Sequence, residues 1–418
     1  MSQPKILVAQ LGARRHYQQP LLFQEWGILD KFYTDFYADN NLITNVLRQP
    51  IIYNQLPNLF KKSLDRYDPL LDKLKIVHFP RFGYQFIKLR KKSPIQNRAS
   101  ILIWAGKEFG KRIIQNGLGD ANTVYGFNGE SLELFEYASS QGIRCILDQT
   151  IAERSFLNKL LLEEEKAWVN WSKSPFMVHD TDLELLEREQ REQSLANHII
   201  CGSNFVKDSL VDRGINASQI SVVALGRQKE SQFKTSFPER KTPQQRGDGL
   251  RILFAGTVNL RKGIPYLLKA LRQIQGEIPF ICKIAGSIEI KSQRVAEYND
   301  LCDFLGRVPR SQMAELYAWA DVFVLPSICE GSAMVTYEAL SWELPVITTP
   351  NSGSIVRNGI HGFIVPIRDS EAIAEKLINI YEQKIYQNYS RDYQTYLSEI
   401  FDNYINTLMK VICNRAGA

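Results

Sequence analysis

The sequence predicts an α/β protein of two doubly wound domains. The chain has 418 residues, too many for one ordinary core and enough for two domains of about 200 residues each. Strand-like and helix-like segments alternate along it, which argues for parallel sheets with helices on both faces. A polar segment, RQKESQFKTSFPERKTPQQRGDG at 227–249, breaks the alternation, and a fresh apolar strand follows it. The expected division is a first domain at 1–226, a linker at 227–249, a second domain at 250–390 and a C-terminal helical segment at 391–418.

Each element has its own signal. PKILVAQLG (4–12) is a first strand. TVYGFNG (123–129) and IRCILDQ (143–149) are later strands that end in polar residues. SLELFEYASSQG (131–142) is the helix between them, closed by a glycine stop. DTDLELLEREQREQSLAN (180–197) is a long amphipathic helix, and HIICGS (198–203) is the next strand. NFVKDSLVDRG (204–214) is a helix with Asn204 as its expected cap and Gly214 as its stop. The second half opens with LRILFAG (250–256) and continues through FICKIAGS (280–287), DFLGRVP (303–309), ADVFVLPS (320–327), LPVITTP (344–350) and GFIVP (362–366). The tail from residue 369 reads as helix.

Composition narrows the class. Hydrophobic content of 44% and charged content of 23% are ordinary for a soluble globular protein. Six cysteines are scattered without C-x-x-C spacing, so a reducing compartment and no structural zinc are expected. No apolar run approaches 18 residues, and the N-terminus reads as a strand rather than a signal peptide. The cytoplasm is the expected compartment. The net charge of +6 is uneven, for residues 48–112 hold 15 Lys/Arg against 4 Asp/Glu. Aromatic residues interleave with that stretch, and Lys88, Arg90, Lys91 and Lys92 closely follow Phe82, Tyr84 and Phe86. A solvated basic face and an anionic membrane surface are both open readings.

The chemistry concentrates at 326–345, PSICEGSAMVTYEALSWELP. Glu330 precedes a small-residue turn and Glu338, eight positions on, lies in the helix that follows. A helix start at the carboxyl end of a parallel strand offers free N–H groups and a positive dipole end, which suits a phosphate. Glu338, about one turn in, would reach ribose hydroxyls, and Glu330 would face a sugar hydroxyl. Taken alone, two such glutamates are more often a cap and a solvated face. Arg261-Lys262-Gly263 adds two cations after a strand end. Asp180-Thr181-Asp182 fits a D-x-D metal motif, but it opens a helix, where acidic residues are favoured as caps. No metal is expected there, and His179, His198 and His361 lack metal-ligand spacing. G-x-x-x-x-G-K-[ST] and G-x-G-x-x-G are absent, so NTP hydrolysis and dinucleotide redox chemistry lack support.

The run E-G-S-A-M-V-T-Y-E-A-L resembles the E-x7-E signature of the GT4-type retaining glycosyltransferases. The likeness extends through LPVITTPNSGSIVRNGIHGFIVP (344–366) and FAGTVNLRKGIPYLLKAL (254–271). It covers about 250–370 strongly and the first half weakly, mainly at 195–210. The resemblance implies a GT-B fold, two Rossmann-like doubly wound domains facing a central cleft. The first would bind acceptor, the second would bind a nucleoside-diphosphate sugar, and the last helix would cross back to the first. It implies a hexosyl transfer without metal or other cofactor.

Breaking the anomeric C–O bond of such a donor leaves charge on the diphosphate, which calls for cations and N–H donors. By resemblance Lys262 contacts the donor phosphates, with Arg261 in place of the family arginine whose position is here Thr257. Glu330 would orient the sugar rather than attack it, and Glu338 would hold the ribose. The donor's sugar and phosphates would meet the backbone of Gly331, Ser332, Ala333, Met334 and Val335, and the strand-end glycine Gly256 joins the donor side. The nucleobase would lie near Gly286 and Arg307-Val308. A further family glutamate is here Ser354, which leaves donor preference open. Retention would follow if the leaving phosphate took the acceptor's proton on the same face of the ring. On the acceptor side the residues are Gly12, Arg14 and His16 after the first strand, and Asn128 where the family often has a histidine. The expected partners are a nucleotide-sugar donor, a glycan or lipid-linked acceptor and an anionic membrane surface through 48–112, with no nucleic acid. The rival functions are an epimerase or phosphorylase on the same fold and a non-catalytic polyanion or membrane-surface binder.

Overall fold

The computed structural model describes residues 3–39, 42–56, 61, 63–92, 98–224, 247, 249–382 and 393–413. Most of the expected linker, 227–246 and 248, lies outside the described residues. The chain divides into two compact units. One is drawn from 1–149, 178–200 and the segment from 411, the other from 150–177 and 201–410.

The first sheet has seven strands: β1 (Ile6–Gln10), β2 (Leu29–Thr34), β3 (Ile76–His78), β4 (Thr123–Phe127), β5 (Arg144–Gln149), β6 (His198–Cys201) and β7 (Ile220–Val222). Their order is β3-β2-β1-β4-β5-β6-β7. The second sheet has β8 (Leu250–Ala255), β9 (Phe280–Ala285), β10 (Cys302–Gly306), β11 (Val322–Leu325), β12 (Val346–Thr348) and β13 (Gly362–Ile364), in the order β10-β9-β8-β11-β12-β13. Both repeat the Rossmann order 3-2-1-4-5-6, in which the chain starts at the centre, builds outward and then crosses back. Every pairing in the second sheet is parallel, as are β1–β2, β1–β4, β2–β3 and β4–β5 in the first. Parallel sheets bury both faces, which explains the unbroken apolar runs. Ile6, Leu7 and Val8 are fully buried, as are Val322, Phe323, Val324 and Leu325.

The strands expected from sequence all form, each within a few residues of its expected span. At the helix Asn204–Asp212 the cap is Ser203 and not Asn204: Ser203 is extended and its hydroxyl accepts from the N–H of Val206. The helix Arg154–Ala167 and the turn after it pack in the second unit. Leu157, Leu160 and Trp171 join the core built on β8 and β11, and the N–H of Lys173 donates to Glu289 O at 2.9 Å. Buried Glu164 ties this helix down, accepting from Tyr266 Oη at 2.9 Å and from Arg368 Nε at 2.6 Å. In the C-terminal helix Tyr393–Cys413, the carbonyls of Val411 and Ile412 accept from the Arg144 guanidinium at 2.9 and 3.1 Å. Among the described residues no helix is long and apolar enough to cross a membrane.

The sheet order fixes where chemistry can happen. It reverses between β8 and β11, so the loops after these two strands diverge and leave their ends open, the place where doubly wound sheets take ligands. The corresponding point in the first sheet is between β1 and β4.

Candidate functional site

The loop after β8 is held by backbone crowding that only glycine permits. Gly256 donates to Ala285 O at 2.9 Å and Gly286 to Gly306 O at 2.7 Å. Their φ angles are 150° and 152°, and a Cβ on Gly286 would sit 1.6 Å from Gly256 O. A side chain is thereby excluded where β9 ends, beside the end of β8. Asn259 Oδ1 then caps a short 3-10 turn, accepting from Lys262 N at 3.1 Å, while its Nδ2 donates to Glu289 at 2.9 Å. Gly263 ends the turn with φ 68°, and its absent Cβ leaves room for Pro326 O, which would otherwise be 1.9 Å away. Ile328 N donates to Arg261 O at 2.9 Å. The two loops of the reversal point are thus stitched together.

Three residues singled out from sequence meet here. Glu330 Oε1 lies 2.5 Å from Arg261 Nη1 and 2.8 Å from Lys262 Nζ. Arg261 Nη1 also donates to Cys329 O at 3.1 Å. Lys262 is 8% exposed, so it is not a solvated loop lysine. Burial pushes its pKa down, Glu330 pulls it back up and Arg261 lowers it again. Two cations converge on one carboxylate oxygen, so the cluster carries a net positive charge in a largely desolvated place. Such a place favours an incoming anion.

The next loop is fixed from behind. Glu330 N donates to Asn351 O at 2.9 Å and Ala333 N to Ser352 O at 3.0 Å. Gly331 passes so close to Thr150 O that a Cβ would come within 1.8 Å, and Ser203 Oγ donates to Gly331 O at 2.6 Å. The helix Met334–Ser341 then starts from Ala333 with no side-chain cap, which leaves its first turn to a ligand or water. Ser332 Oγ bonds Tyr337 Oη at 2.9 Å. Met334 is exposed and Val335 half-buried. Glu338 is on this helix, half-buried, and its Oε2 accepts from Tyr317 Oη at 2.8 Å. Tyr317 is buried at the end of the helix Arg310–Trp319, and burial followed by the Glu338 charge holds its phenol well above its ordinary pKa. Val308 is half-buried beside Arg307, whose Nη2 donates to Ser287 Oγ at 3.2 Å.

In the first unit the expected residues are placed less uniformly. Gly12 N donates to Asp35 Oδ1 at 2.8 Å. Arg14 pairs with Glu130 at 2.7 Å and lies over the Phe127 ring. Arg15, His16 and Tyr17 run through left-handed backbone at φ 47°, 48° and 63°, a strained path of the kind found at functional sites. His16 is exposed. Asn128 is buried, with Nδ2 donating to Glu189 Oε1 at 3.0 Å, so that donor already serves the protein interior. Asp180 and Asp182 open their helix, and Asp182 Oδ2 accepts from His179 N at 2.9 Å, the capping geometry expected of them. Within the basic stretch the structure separates the three rings. Phe82 and Phe86 are buried with their ring planes parallel and centroids 6.3 Å apart, because they form the inner side of the helix Pro80–Lys92. Of the three rings only Tyr84 is exposed.

Tyr317, Asn259 and Ser203 escaped the sequence reading. Asn259 stands three residues before Lys262 in the pattern of a cap and was findable there. Tyr317 and Ser203 gave no signal, because their partners are 21 and 128 residues away.

Residues 249–383 match the family model for glycosyl transferases group 1. A D-inositol 3-phosphate glycosyltransferase of Paenarthrobacter aurescens is 30% identical over 213 residues, 47% of this chain and 52% of that one. The putative glycosyltransferase EpsD of Bacillus subtilis is 30% identical over 41% of this chain and 44% of its own length. The matched stretches thus span about two fifths to one half of these curated relatives. Among solved structures, sucrose-phosphate synthase from Thermosynechococcus elongatus aligns with a TM-score of 0.63 at 15% identity, over 98% of both chains. HepE of Anabaena, solved with UDP and glucose, aligns at 0.56 and 13% identity, over 98% of this chain and 99% of that one. At such identities the likeness establishes the fold, which is GT-B: two Rossmann-like α/β domains with parallel sheets.

Proposed function

We propose that this protein is a retaining, GT4-type glycosyltransferase. It would move a sugar from a nucleoside-diphosphate sugar to a hydroxyl of a glycan, a lipid-linked or a small-molecule acceptor. The convergence of Arg261 and Lys262 on Glu330 Oε1 at the reversal point of the second sheet carries this proposal. The match of 249–383 to group 1 glycosyl transferases supports it. The donor diphosphate takes Lys262 and Arg261 as counter-charges and the uncapped first turn of Met334–Ser341 as N–H donors. As the anomeric C–O bond breaks, negative charge grows on the leaving phosphate, and a desolvated lysine stabilises it more than a hydrated one would. Glu338, oriented by Tyr317, accepts from ribose hydroxyls. Gly256 and Gly286 present backbone, and Val308 an apolar side chain, toward the nucleoside in this reading.

Glu330 positions the sugar. An oxygen already held by two cations is a poor nucleophile, so a covalent glycosyl-enzyme in the glycosidase manner is disfavoured. The leaving phosphate oxygen instead takes the proton of the attacking hydroxyl on the same face, which retains the anomeric configuration. Two protein cations do the charge work that a divalent metal performs elsewhere, so turnover should persist in EDTA. The acceptor is assigned to the first unit, near Gly12, Arg14 and His16. A cytoplasmic protein resting on an anionic membrane face is the proposed setting.

The test is incubation with UDP-, GDP- and ADP-sugars, with and without EDTA, reading nucleoside diphosphate release and the anomeric configuration of the product. Transfer with retention in EDTA is expected. An inverted product, or release that stops on chelation, would overturn the mechanism. Conversion of the donor sugar with no acceptor present would indicate an epimerase instead.

A further inference from the structure

We propose that a second pocket in the same unit binds a neutral, hydroxyl-rich sugar ring. It lies between the start of the helix Asn204–Asp212 and the segment 350–355, and its volume is about 460 Å³, well inside the range of about 300–1,000 Å³ for small-molecule sites. Its chemistry differs from that of the Lys262 cluster. No lysine, arginine or histidine is among its described lining residues, and the helix start there is already capped by Ser203, so a diphosphate would find no counter-charge. It presents instead one carboxylate, Asp208, two carboxamides, Asn204 and Asn351, two hydroxyls, Ser354 and the already engaged Ser203, and one aromatic ring, Phe205. Asn204 and Asp208 are four residues apart and therefore neighbours on one helix face. The carboxylate accepts from hydroxyls, while the amides and Ser354 both donate and accept. Phe205 is half-buried and fixed edge-on against Phe156 at 5.9 Å, and with Pro350 it offers an apolar surface for the C–H face of a ring. That combination recognises a polyol and disfavours an anion.

The pocket wall is also the backing of the Glu330 loop. Asn351 O accepts from Glu330 N at 2.9 Å and Asn351 Nδ2 donates to Ile328 O at 2.9 Å. Ser203, at the pocket's edge, donates to Gly331 O. A ring seated here presses on the residues that hold Glu330 in place. The sugar-transfer proposal enters only in naming the ring's origin, a unit of a glycan acceptor or a free sugar.

The experiment is saturation-transfer NMR on the full chain with glucose, galactose, N-acetylglucosamine and UDP, each alone. At least one monosaccharide should show saturation. Asp208→Asn and Phe205→Ala should each reduce it fivefold or more while the UDP signal stays within twofold. Asp208→Asn is conservative and on an exposed residue, so it reports even if Phe205→Ala destabilises the fold. No saturation of any monosaccharide, or unchanged saturation in both variants, overturns the proposal. Absence of UDP saturation in the wild-type chain would count against donor binding and leave the monosaccharide result standing. Maltotriose against glucose then separates the sources. Stronger saturation of the trisaccharide supports a glycan unit, and equal or weaker saturation supports a free sugar.

Discussion

On the proposed reading, Lys262 is the residue on which the chemistry turns. It is buried, its charge is disfavoured by desolvation, and Glu330 offsets that. In the proposed reaction an arriving diphosphate would supply further counter-charge, and the interaction would be strongest when the leaving group carries most charge. Lys262→Ala should therefore lower the transfer rate by about 10²-fold or more, the cost of removing one transition-state contact. The melting temperature should change little, because Arg261 still pairs with Glu330 and the buried cation's desolvation penalty is lost with it. A variant with wild-type turnover would shift the burden to Arg261. Tyr317 acts one step back, through Glu338. Tyr317→Phe removes the 2.8 Å bond to Oε2 and leaves the ring's packing intact. A hydrogen bond to a charged group is worth about 1.5–3 kcal/mol, so nucleoside diphosphate affinity should fall roughly tenfold by calorimetry, with kcat nearly unchanged at saturating donor. An equal fall in kcat would mean that Tyr317 touches the reacting centre.

At the scale of elements, the site is a product of two loops held at fixed distance, and Gly263 is where they meet. Its φ of 68° alone costs another residue about 1–3 kcal/mol, and the Cβ would collide with Pro326 O at 1.9 Å. Gly263→Ala should depress the melting temperature by several degrees, and the surviving folded fraction should turn over more slowly than wild type per folded molecule. Normal specific activity in the folded fraction would show that the two loops need not be stitched. This junction also marks how far the sequence could be read. The strands were legible because parallel sheets demand continuous apolar runs, as in β8 and β11. The cations and both glutamates were legible because they stand at strand ends and helix starts. What the sequence did not show is set by contacts between distant segments. Ser203 caps in place of Asn204 because its hydroxyl also serves Gly331. Phe82 and Phe86 look like surface rings among cations, yet their four-residue spacing puts both on the inner face of one helix.

At the scale of the whole molecule, protonation and surface charge are the levers. Glu192 is fully buried in the first unit and accepts from Gly129 N and Ser131 N. Burial, reinforced by Glu189, pushes its pKa from 4.5 up to about 8. The folded chain therefore holds this proton where the unfolded chain has released it. Its contribution is fully present below pH 4.5 and is lost as pH rises through about 8, so this group makes stability fall across that interval. Glu189→Gln keeps an acceptor for Asn128 and removes the neighbouring charge, which should narrow the window. The melting-temperature difference between variant and wild type should favour the variant increasingly as pH rises from 5 to 8. A difference independent of pH would mean that Glu189 does not act on Glu192.

The basic stretch is the last lever, and much of its charge is already used. Arg66 pairs with Asp35, Lys107 with Glu184 and Arg112 with Glu108, while Arg48 donates to backbone carbonyls. Part of the charge that faces outward lies on the helix Pro80–Lys92, where Arg81, Lys88 and Lys91 are exposed together with Tyr84. These positions recur every three to four residues and so share one face. Each cation near an anionic surface is worth about 1 kcal/mol, and the attraction decays within a Debye length. Three of them with one ring should give weak, salt-sensitive attachment rather than anchoring. Sedimentation with vesicles containing phosphatidylglycerol should pull down the chain at low ionic strength and release it at 0.5 M salt. Vesicles of phosphatidylcholine alone should not bind it, and Lys88→Glu with Lys91→Glu should abolish the anionic binding while leaving UDP affinity unchanged. Equal partitioning to both vesicle types would put the attraction in apolar contact, and no partitioning to either would leave this face to a soluble acidic acceptor.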